Sequence, residues 1–261
     1  MAKAKKPPHI VAKERARRAD GDGTVWLFGL HAVEAALANP TRKLRRLIVT
    51  PNAAARIGPA IEAAEVTVES ADPRRFPAPL PPQVVHQGVA LETVALAQPS
   101  VSEVVAAAEG APARLLLLDR VTDPQNAGAI LRSAAVFGAR AVIAPARHSA
   151  PETGALAKAA SGALEVVPYL RVPNLARAMG ALAEMGVTLV GLDGGAEEDL
   201  AAAAQDLRTV PAAIVLGAEG AGLRALTRES CQRIVAIEGT DSFGSLNVSN
   251  AAAISLFAFR P

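Results

Sequence analysis

Residues 114–135 have the sequence RLLLLDRVTDPQNAGAILRSAA. The stretch begins with an apolar run that ends at Asp119, continues through a polar turn, and takes on a helical pattern after Asp123-Pro124. An apolar run without polar alternation is typical of a strand buried on both faces of a parallel sheet. An acidic residue before proline is a common helix start. The stretch therefore predicts a strand, a loop at its carboxyl end and a helix, which is the repeating unit of a parallel α/β sheet.

The same alternation continues towards the C-terminus. Four further apolar runs predict strands separated by alanine-rich helical stretches, at residues 140–144, 187–192, 212–216 and 233–237. A last helix is predicted from about 247 to 259. We therefore predict an α/β domain with a mainly parallel sheet over residues 113–261. Because such sheets bind ligands outside the carboxyl ends of their strands, the loops at that edge are the candidate site.

The N-terminal part has a different organisation. Residues 24–96 predict a small α/β module, with helices and strands alternating at 31–39, 44–50, 53–64 and 88–94. Its proline-rich stretch 77–82 predicts a loop, because proline fits neither a helix interior nor a central strand. Residues 97–112 predict a linker and a leading helix.

The charge of the chain is unevenly distributed. Residues 1–23 contain seven basic and three acidic groups, a net charge of +4, whereas the rest contains 20 basic and 22 acidic groups. This tail predicts a disordered segment, and its role as a solvated leader or as a contact to RNA phosphates stays open. Aromatic residues make up only 3% of the chain, so base stacking cannot be the main device for binding nucleic acid.

Cys231 is the only cysteine. A single cysteine excludes an intrachain disulfide and a cysteine-rich metal site. It also favours a location in the reducing cytoplasm. No apolar run reaches the ~18 residues that a membrane-spanning helix needs. We therefore predict a cytoplasmic protein without a metal and without membrane contact.

Three loops at predicted strand ends combine polar residues with glycine. They are DRVTDPQNAGAILR at 119–132, GAEGAGL at 217–223, and a third that ends in SLNVSN at 245–250. The second is not a Walker loop, because no Lys-Ser or Lys-Thr follows it. It also lies too late in the domain for a dinucleotide fingerprint, and by itself it is compatible with an ordinary glycine turn.

In this order the three loops resemble the three motifs of the SpoU-type RNA 2′-O-ribose methyltransferases, within the knotted SPOUT superfamily, and the resemblance covers the whole C-terminal domain. FGLHAVE at 28–34 and VHQGV at 85–89 are similar to the L30e-like RNA-binding domain that precedes it in many members. The resemblance implies a trefoil knot, a homodimer and S-adenosyl-L-methionine as methyl donor. The resemblance is strongest to the members of the family that methylate a guanosine of 23S rRNA. A tRNA methyltransferase and a non-catalytic RNA-binding or ribosome-assembly protein are the alternatives.

The resemblance also implies roles for individual residues. Arg132 matches the arginine that activates the ribose 2′-hydroxyl, as a base or as an electrostatic activator. The other implied catalytic residues are Asn126, Glu219, Ser245 and Asn247. Asn126, Ser245 and Asn247 are also compatible with helix capping, and Glu219 with a solvated loop. Gly217, Ile237 and Leu246 are the implied cofactor-binding residues.

Two features lie outside the three motifs. Many members have Pro-Met after the strand that ends near Ile237, whereas this chain has EGTDSF at 238–243, which leaves the adenine contacts open. Basic residues cluster before and within the strand at 44–50 and again at Arg74-Arg75. As RNA-binding residues we predict Arg42, Lys43, Arg45 and Arg46, with a solvated strand edge as the alternative.

Overall fold

The computed structural model describes residues 23–106, 112–239 and 246–260, and these form two compact units. The first contains residues 23–97 together with the segment 152–158, and the second contains residues 98–151 and 159–260. The predicted basic tail lies outside the described residues except for Gly23. The sequence pattern gave no sign that 152–158 groups with the first unit.

The first unit is built on a four-stranded sheet. Its elements are β1 (Thr24–Phe28), α1 (Leu30–Ala38), β2 (Leu44–Val49), α2 (Pro51–Ala63), β3 (Thr67–Ser70) and β4 (Val89–Val94). The strand order is β1-β4-β2-β3, with β4 antiparallel to both neighbours and β3 parallel to β2. Leu27, Leu47 and Leu91 meet in register and are fully buried.

The predicted helices and strands of this unit are confirmed to within two residues. Strands β1 and β3 were not predicted. All four residues of β3 are exposed, so the strand carries no alternation of buried and exposed side chains that a sequence pattern could reveal. The proline-rich stretch 77–82 is neither helix nor strand, as predicted.

The second unit alternates strands and helices. Its elements are α3 (Val101–Ala106), β5 (Arg114–Leu118), α4 (Pro124–Val136), β6 (Ala141–Pro145), α5 (Gly154–Ala160), β7 (Tyr169–Val172), α6 (Leu175–Glu184), β8 (Thr188–Leu192), β9 (Glu198–Asp199), α7 (Leu200–Asp206), β10 (Ala212–Leu216), α8 (Ala225–Glu229), β11 (Arg233–Ala236) and α9 (Val248–Ala258). The first residues of α5 belong to the segment that groups with the first unit.

All seven strands of this unit form one parallel sheet in the order β7-β6-β5-β10-β8-β11-β9. The predicted parallel sheet is thus confirmed. Every residue of β5 and β10 is buried, which is why both strands are continuous apolar runs. The two strands are neighbours with Leu118 paired to Leu216, so the loops that follow them emerge side by side. Helix α9 packs against α4, which brings the end of the chain back to the first loop.

Arg114 ties three segments of the second unit together from the start of β5. Its side chain donates hydrogen bonds to the carbonyl oxygens of Phe259 (2.7 Å), Val210 (2.6 Å), Arg208 (2.9 Å) and Leu207 (3.1 Å). Only 3% of the residue is exposed. The guanidinium therefore satisfies carbonyls that follow α7 and α9, where a helix leaves acceptors without intrahelical partners.

Among the described residues, no helix combines the length and apolar character that crossing a bilayer requires.

Candidate functional site

The first loop opens α4 with a capping aspartate. The Asp123 carboxylate accepts a hydrogen bond from the Gln125 N–H (3.0 Å), and Pro124 is the first helical residue. The predicted helix start is confirmed, and the alternative in which Asn126 is the N-cap is wrong. Asn126 lies half-buried in the first turn, where its amide is free to contact other loops.

The second loop, residues 217–223, is a tight hairpin. Ala218 and Gly222 exchange backbone hydrogen bonds of 3.2 and 2.9 Å. A Cβ on Gly217 would lie 2.1 Å from the backbone carbon of Gly222, so only glycine fits there. Gly220 and Gly222 have φ of +77° and +64°, values that favour glycine. The space beside Gly217 is therefore occupied by the backbone of the same loop. Glu219 is exposed at the tip of the hairpin.

The third loop is described from Leu246 onward, and Ser245 lies outside the described residues. Asn247 is the N-cap of α9: its Oδ1 accepts a hydrogen bond from the Ser249 N–H at 2.9 Å. The side-chain Nδ2 of Asn247 stays available for another partner. The capping role that the sequence left open is therefore present, and it does not exclude a second role.

Three of the predicted catalytic residues meet in one cluster. Asn247 Nδ2 donates to Glu219 Oε1 (2.6 Å) and to Asn126 Oδ1 (3.0 Å), and Asn126 Nδ2 donates to Glu219 Oε1 (3.0 Å). Each residue comes from a different loop. Charge-assisted hydrogen bonds of this length orient both partners. The cluster holds the three loops in one arrangement at the carboxyl edge of the sheet.

A second contact between the first two loops was not predicted. The Asp119 side chain is fully buried and accepts hydrogen bonds from Arg224 Nε (2.7 Å) and from the Arg224 backbone N–H (3.2 Å). Asp119 directly follows a buried strand of the parallel sheet, and Arg224 directly follows the glycine hairpin. In the sequence, the acidic Asp119 at the carboxyl end of a buried strand was the one sign of this contact. Its partner Arg224 lies 105 positions later in the chain.

Arg132 lies outside the cluster, on α4 and about 9 Å along the helix axis from Asn126. Its side chain is exposed and makes no hydrogen bond or ion pair with any residue that the structure describes. One turn earlier, Gly128 allows close packing, since a Cβ there would lie 2.4 Å from the Cβ of Ala159. The helix that carries Arg132 is therefore held firmly while the guanidinium stays accessible.

Of the three predicted cofactor-binding residues, Gly217 follows β10, Ile237 follows β11 and Leu246 precedes α9. Ile237 is half-buried and Leu246 is 51% exposed. Ile237 also lines a groove of about 610 Å³, together with residues of α7 and α9. Gly217 and Leu246 are not among the residues that line this groove. The structure thus places Ile237 in a cavity without bringing all three residues into it.

The predicted RNA-binding cluster needs a correction at Arg42. Its side chain is 0% exposed, because it pairs with Glu152 (2.9 Å) and donates to the Val94 carbonyl (3.1 Å) within the first unit. It cannot reach a phosphate and instead anchors the segment 152–158. Arg45 and Arg46 are exposed but lie near acidic partners, with Arg46 Nε 2.6 Å from Glu92. Lys43 is exposed.

Family comparisons divide the chain in two. The SpoU rRNA Methylase family matches residues 113–257. The family described as RNA 2′-O ribose methyltransferase substrate binding matches residues 26–99.

Curated relatives match most of the chain. A protein of Ralstonia nicotianae named 23S rRNA (guanosine-2′-O-)-methyltransferase RlmB is 42% identical over 236 residues, covering 88% of this chain and 93% of its own. The protein of the same name from Yersinia pestis is 41% identical over 239 residues, covering 88% and 94%.

Solved structures show the same fold. The SpoU methyltransferase AviRb from Streptomyces viridochromogenes in complex with AdoMet matches with a TM-score of 0.76 and 23% identity, covering 93% of this chain and 91% of its own. An AdoMet-bound rRNA methyltransferase from Sinorhizobium meliloti matches with a TM-score of 0.77 and 21% identity, covering 94% and 90%.

Proposed function

The chain belongs to the SpoU rRNA methylase family, and from this membership we propose that it is an S-adenosylmethionine-dependent RNA 2′-O-methyltransferase. The 2′-oxygen of a ribose bonds to the methyl carbon of the donor, the carbon–sulfur bond breaks, and the hydroxyl proton is released. The substrate is a guanosine of 23S rRNA, the specificity that the relatives from Ralstonia and Yersinia carry in their names.

The observation that carries the proposal is the cluster of Asn126, Glu219 and Asn247. Three loops of the second unit converge on one carboxylate through hydrogen bonds of 2.6 to 3.0 Å. Methyl transfer requires the acceptor oxygen and the donor carbon to be held in line. A cluster that fixes three loops at one edge of the sheet supports a site of this kind, and the exposed Arg132 lies on α4, the helix that carries Asn126.

Arg132 activates the 2′-hydroxyl. A ribose hydroxyl is a poor nucleophile until its proton is removed or shared. Arginine stays protonated at neutral pH and therefore has no free lone pair with which to take a proton. Arg132 acts either as a base, with an RNA phosphate that shares the proton, or as a cation that stabilises the developing negative charge. In both cases it must be accessible to the RNA, and its side chain is exposed.

Gly217, Ile237 and Leu246 hold the methyl donor. S-adenosylmethionine supplies an electrophilic methyl group on a sulfonium. The apolar side chains of Ile237 and Leu246 fit the faces of an adenine ring, and the crowded backbone at Gly217 offers main-chain groups rather than a side chain. Ser245, just before Leu246, stays a predicted catalytic residue.

The trefoil knot and the homodimer are further parts of the proposal. The match to the SpoU family supports the knot, and the hydrogen bond from Asn247 to Asn126, which brings the C-terminal segment to the loop after β5, is compatible with it. Exposed apolar side chains on the packed helices α4 and α9 support the dimer: Val136 (76% exposed), Ile254 (40%) and Phe257 (52%). Light scattering of the purified protein tests the dimer directly. The enzyme acts in the cytoplasm, where ribosomal RNA is.

Transfer of labelled methyl groups tests the function. Incubation of the protein with labelled S-adenosylmethionine and unmodified 23S rRNA is expected to give one 2′-O-methylguanosine, located by mass spectrometry of RNA fragments. Arg132→Ala is expected to bind the donor and to transfer no methyl group. Methylation of tRNA alone would replace the proposed substrate. Absence of donor binding by the wild-type protein would favour a non-catalytic RNA-binding role.

A further inference from the structure

The first unit contains a cleft of about 390 Å³ at the carboxyl end of β2, at the opposite end of the strand from Arg42. We name it the Arg56 cleft. The residues that matter for its chemistry are Asn52, Arg56, Pro73, Val85, His86 and Gln87. Its volume lies in the range of small-ligand sites, roughly 300 to 1,000 Å³. The proposed catalytic residues all belong to the other unit, so no role has yet been given to this cavity.

One wall of the cleft, residues 85–88, is held in place by the surrounding backbone. The Leu30 N–H donates to Gln87 Oε1 (3.0 Å), and the Thr50 N–H donates to the Gly88 carbonyl (2.8 Å). Lys158 Nζ donates to the Val85 carbonyl (2.7 Å). Gly88 has a φ of +77°, and a Cβ there would lie 2.4 Å from Thr50 Oγ1. The wall is therefore formed before any ligand arrives, which lowers the entropic cost of binding.

His86 gives this wall a flat ring with a free donor. The imidazole stacks on Phe76, with ring centroids 4.1 Å apart and an angle of 20° between the planes. Its Nδ1 accepts a hydrogen bond from the Gly88 N–H (3.1 Å). Burial, followed by the charge of Lys158, lowers the pKa of His86 below its usual value. The ring is therefore neutral at neutral pH, and Nε2 carries the proton that can be donated.

One lining residue of the cleft, Arg56, is positively charged, and two further arginines follow the lining residue Pro73 in sequence. Arg56 is exposed on α2 and makes no hydrogen bond or ion pair with a residue that the structure describes. Arg74 and Arg75 are exposed as well. The carboxylate of the nearby Asp72 accepts the Arg74 backbone N–H (2.8 Å). At the other end of β2, Glu92 and Glu69 reduce the charge of Arg45 and Arg46.

We propose that the Arg56 cleft binds one unpaired nucleotide of the substrate RNA, with its phosphate on Arg56 and its base against His86 and Val85. The side-chain amide of Asn52, the free Nε2 of Gln87 and the Nε2 of His86 face the hydrogen-bonding edge of that base. RNA is recognised mostly through unstacked bases of this kind, because the grooves of its helix expose little sequence information. The inference rests on the proposed function and assigns RNA recognition within it to a defined cavity.

Arg56→Ala in the full-length protein tests the proposal, with Arg177→Ala as a matched control that removes an exposed arginine from α6 of the other unit. Methylation kinetics are measured on an unmodified in vitro transcript of 23S rRNA. Arg56→Ala is expected to raise the KM for RNA about tenfold and to lower the slope of log KM against log salt by about one, as loss of one phosphate contact does. The kcat and the Kd for S-adenosylmethionine stay unchanged. Arg177→Ala changes KM less than twofold.

Asn52→Ala, at an exposed position, is a second variant and should raise KM on the same transcript severalfold without altering the salt slope. The proposal is overturned if Arg56→Ala raises KM no more than Arg177→Ala does, or if Arg56→Ala lowers kcat alone. It is also overturned if Arg56→Ala weakens the binding of fully double-stranded and single-stranded RNA equally. If the wild-type protein transfers no methyl group, the proposed function fails, and filter binding of the same transcript then decides the role of the cleft by itself.

Discussion

The side-chain amide of Asn247 donates a hydrogen bond of 2.6 Å to the carboxylate of Glu219, although the two residues belong to different loops and lie 28 positions apart. The same side chain caps α9, because its Oδ1 accepts the Ser249 N–H at 2.9 Å. One residue thus connects the start of the last helix to the tip of the glycine hairpin. Helix capping and loop positioning therefore coexist at Asn247, and substitutions can separate them.

Asn247→Asp is expected to retain the cap and to lose the positioning. Aspartate is as good an N-cap as asparagine. It has no donor for Glu219, and the two carboxylates would repel each other. We expect kcat for methyl transfer to fall at least about tenfold, equivalent to about 1.4 kcal/mol, with little change in thermal stability. Asn247→Ala should lose both properties and lower the melting temperature as well. Equal activity of Asn247→Asp and wild type would contradict the positioning role.

Glu219→Gln tests whether the charge of the cluster matters. Glutamine has nearly the shape of glutamate, so the hairpin should keep its conformation. The two amides that point at Glu219 Oε1 would still find an acceptor, but the hydrogen bonds would lose their charge assistance. We expect a several-fold drop in kcat with donor affinity unchanged, measured by single-turnover kinetics and calorimetry. A loss of donor affinity without a loss of kcat would place Glu219 at the donor instead.

Asp119→Asn tests the contact between the first two loops. The Asp119 carboxylate is buried and depends on Arg224 for its hydrogen bonds. We expect a loss of roughly 2 kcal/mol in the free energy of unfolding, less than for a fully buried ion pair because half of the Arg224 side chain is exposed. Urea denaturation measures the change. Asp193→Asn, which removes a half-buried partner of the exposed Arg228, is the control and should cost less than ~1 kcal/mol.

The parallel sheet and the convergence of the three loops followed from the sequence because the patterns involved are local. Apolar runs such as 114–118 and 212–216 are continuous because their strands are buried on both faces. Loops at carboxyl ends of parallel strands meet at one edge, and the resemblance to the SpoU family selected Asn126, Glu219 and Asn247 within those loops. Strands β7 and β9 were not predicted, and β9 has only two residues, too few to show a pattern.

The contacts that sequence reasoning missed join residues far apart in the chain. Arg42 belongs to a dense basic cluster, and nothing near it shows that Glu152, 110 positions later, will bury its side chain. The partners Asp119 and Arg224 are similarly separated by 105 positions. A charged residue in a cluster and a charged residue in a buried pair have the same local sequence signature. Only the tertiary structure distinguishes them.

Arg114→Met is expected to destabilise the second unit without touching the candidate site. The guanidinium donates to four carbonyls in the segments after α7 and α9, and methionine would remove all four of these hydrogen bonds. We expect a loss of about 3 kcal/mol in the free energy of unfolding, measured by urea denaturation. Arg177→Met, on the exposed face of α6, is the control and should stay within ~0.5 kcal/mol of wild type.

Cys231 gives the second unit a pH-dependent stability that can be measured without RNA. Burial raises the pKa of its thiol to about 11, and the Sγ donates to the Thr227 carbonyl at 3.3 Å. In the unfolded chain the thiol ionises near pH ~8.5. Between these values the unfolded state releases a proton that the folded state retains, so the free energy of unfolding should fall as the pH rises from about 8.5 towards 11. Cys231→Ser should show a smaller fall over the same range.

Reaction of the native protein with a thiol reagent at pH 8 should be slow and should become fast in urea. Rapid labelling of the native protein would contradict the raised pKa.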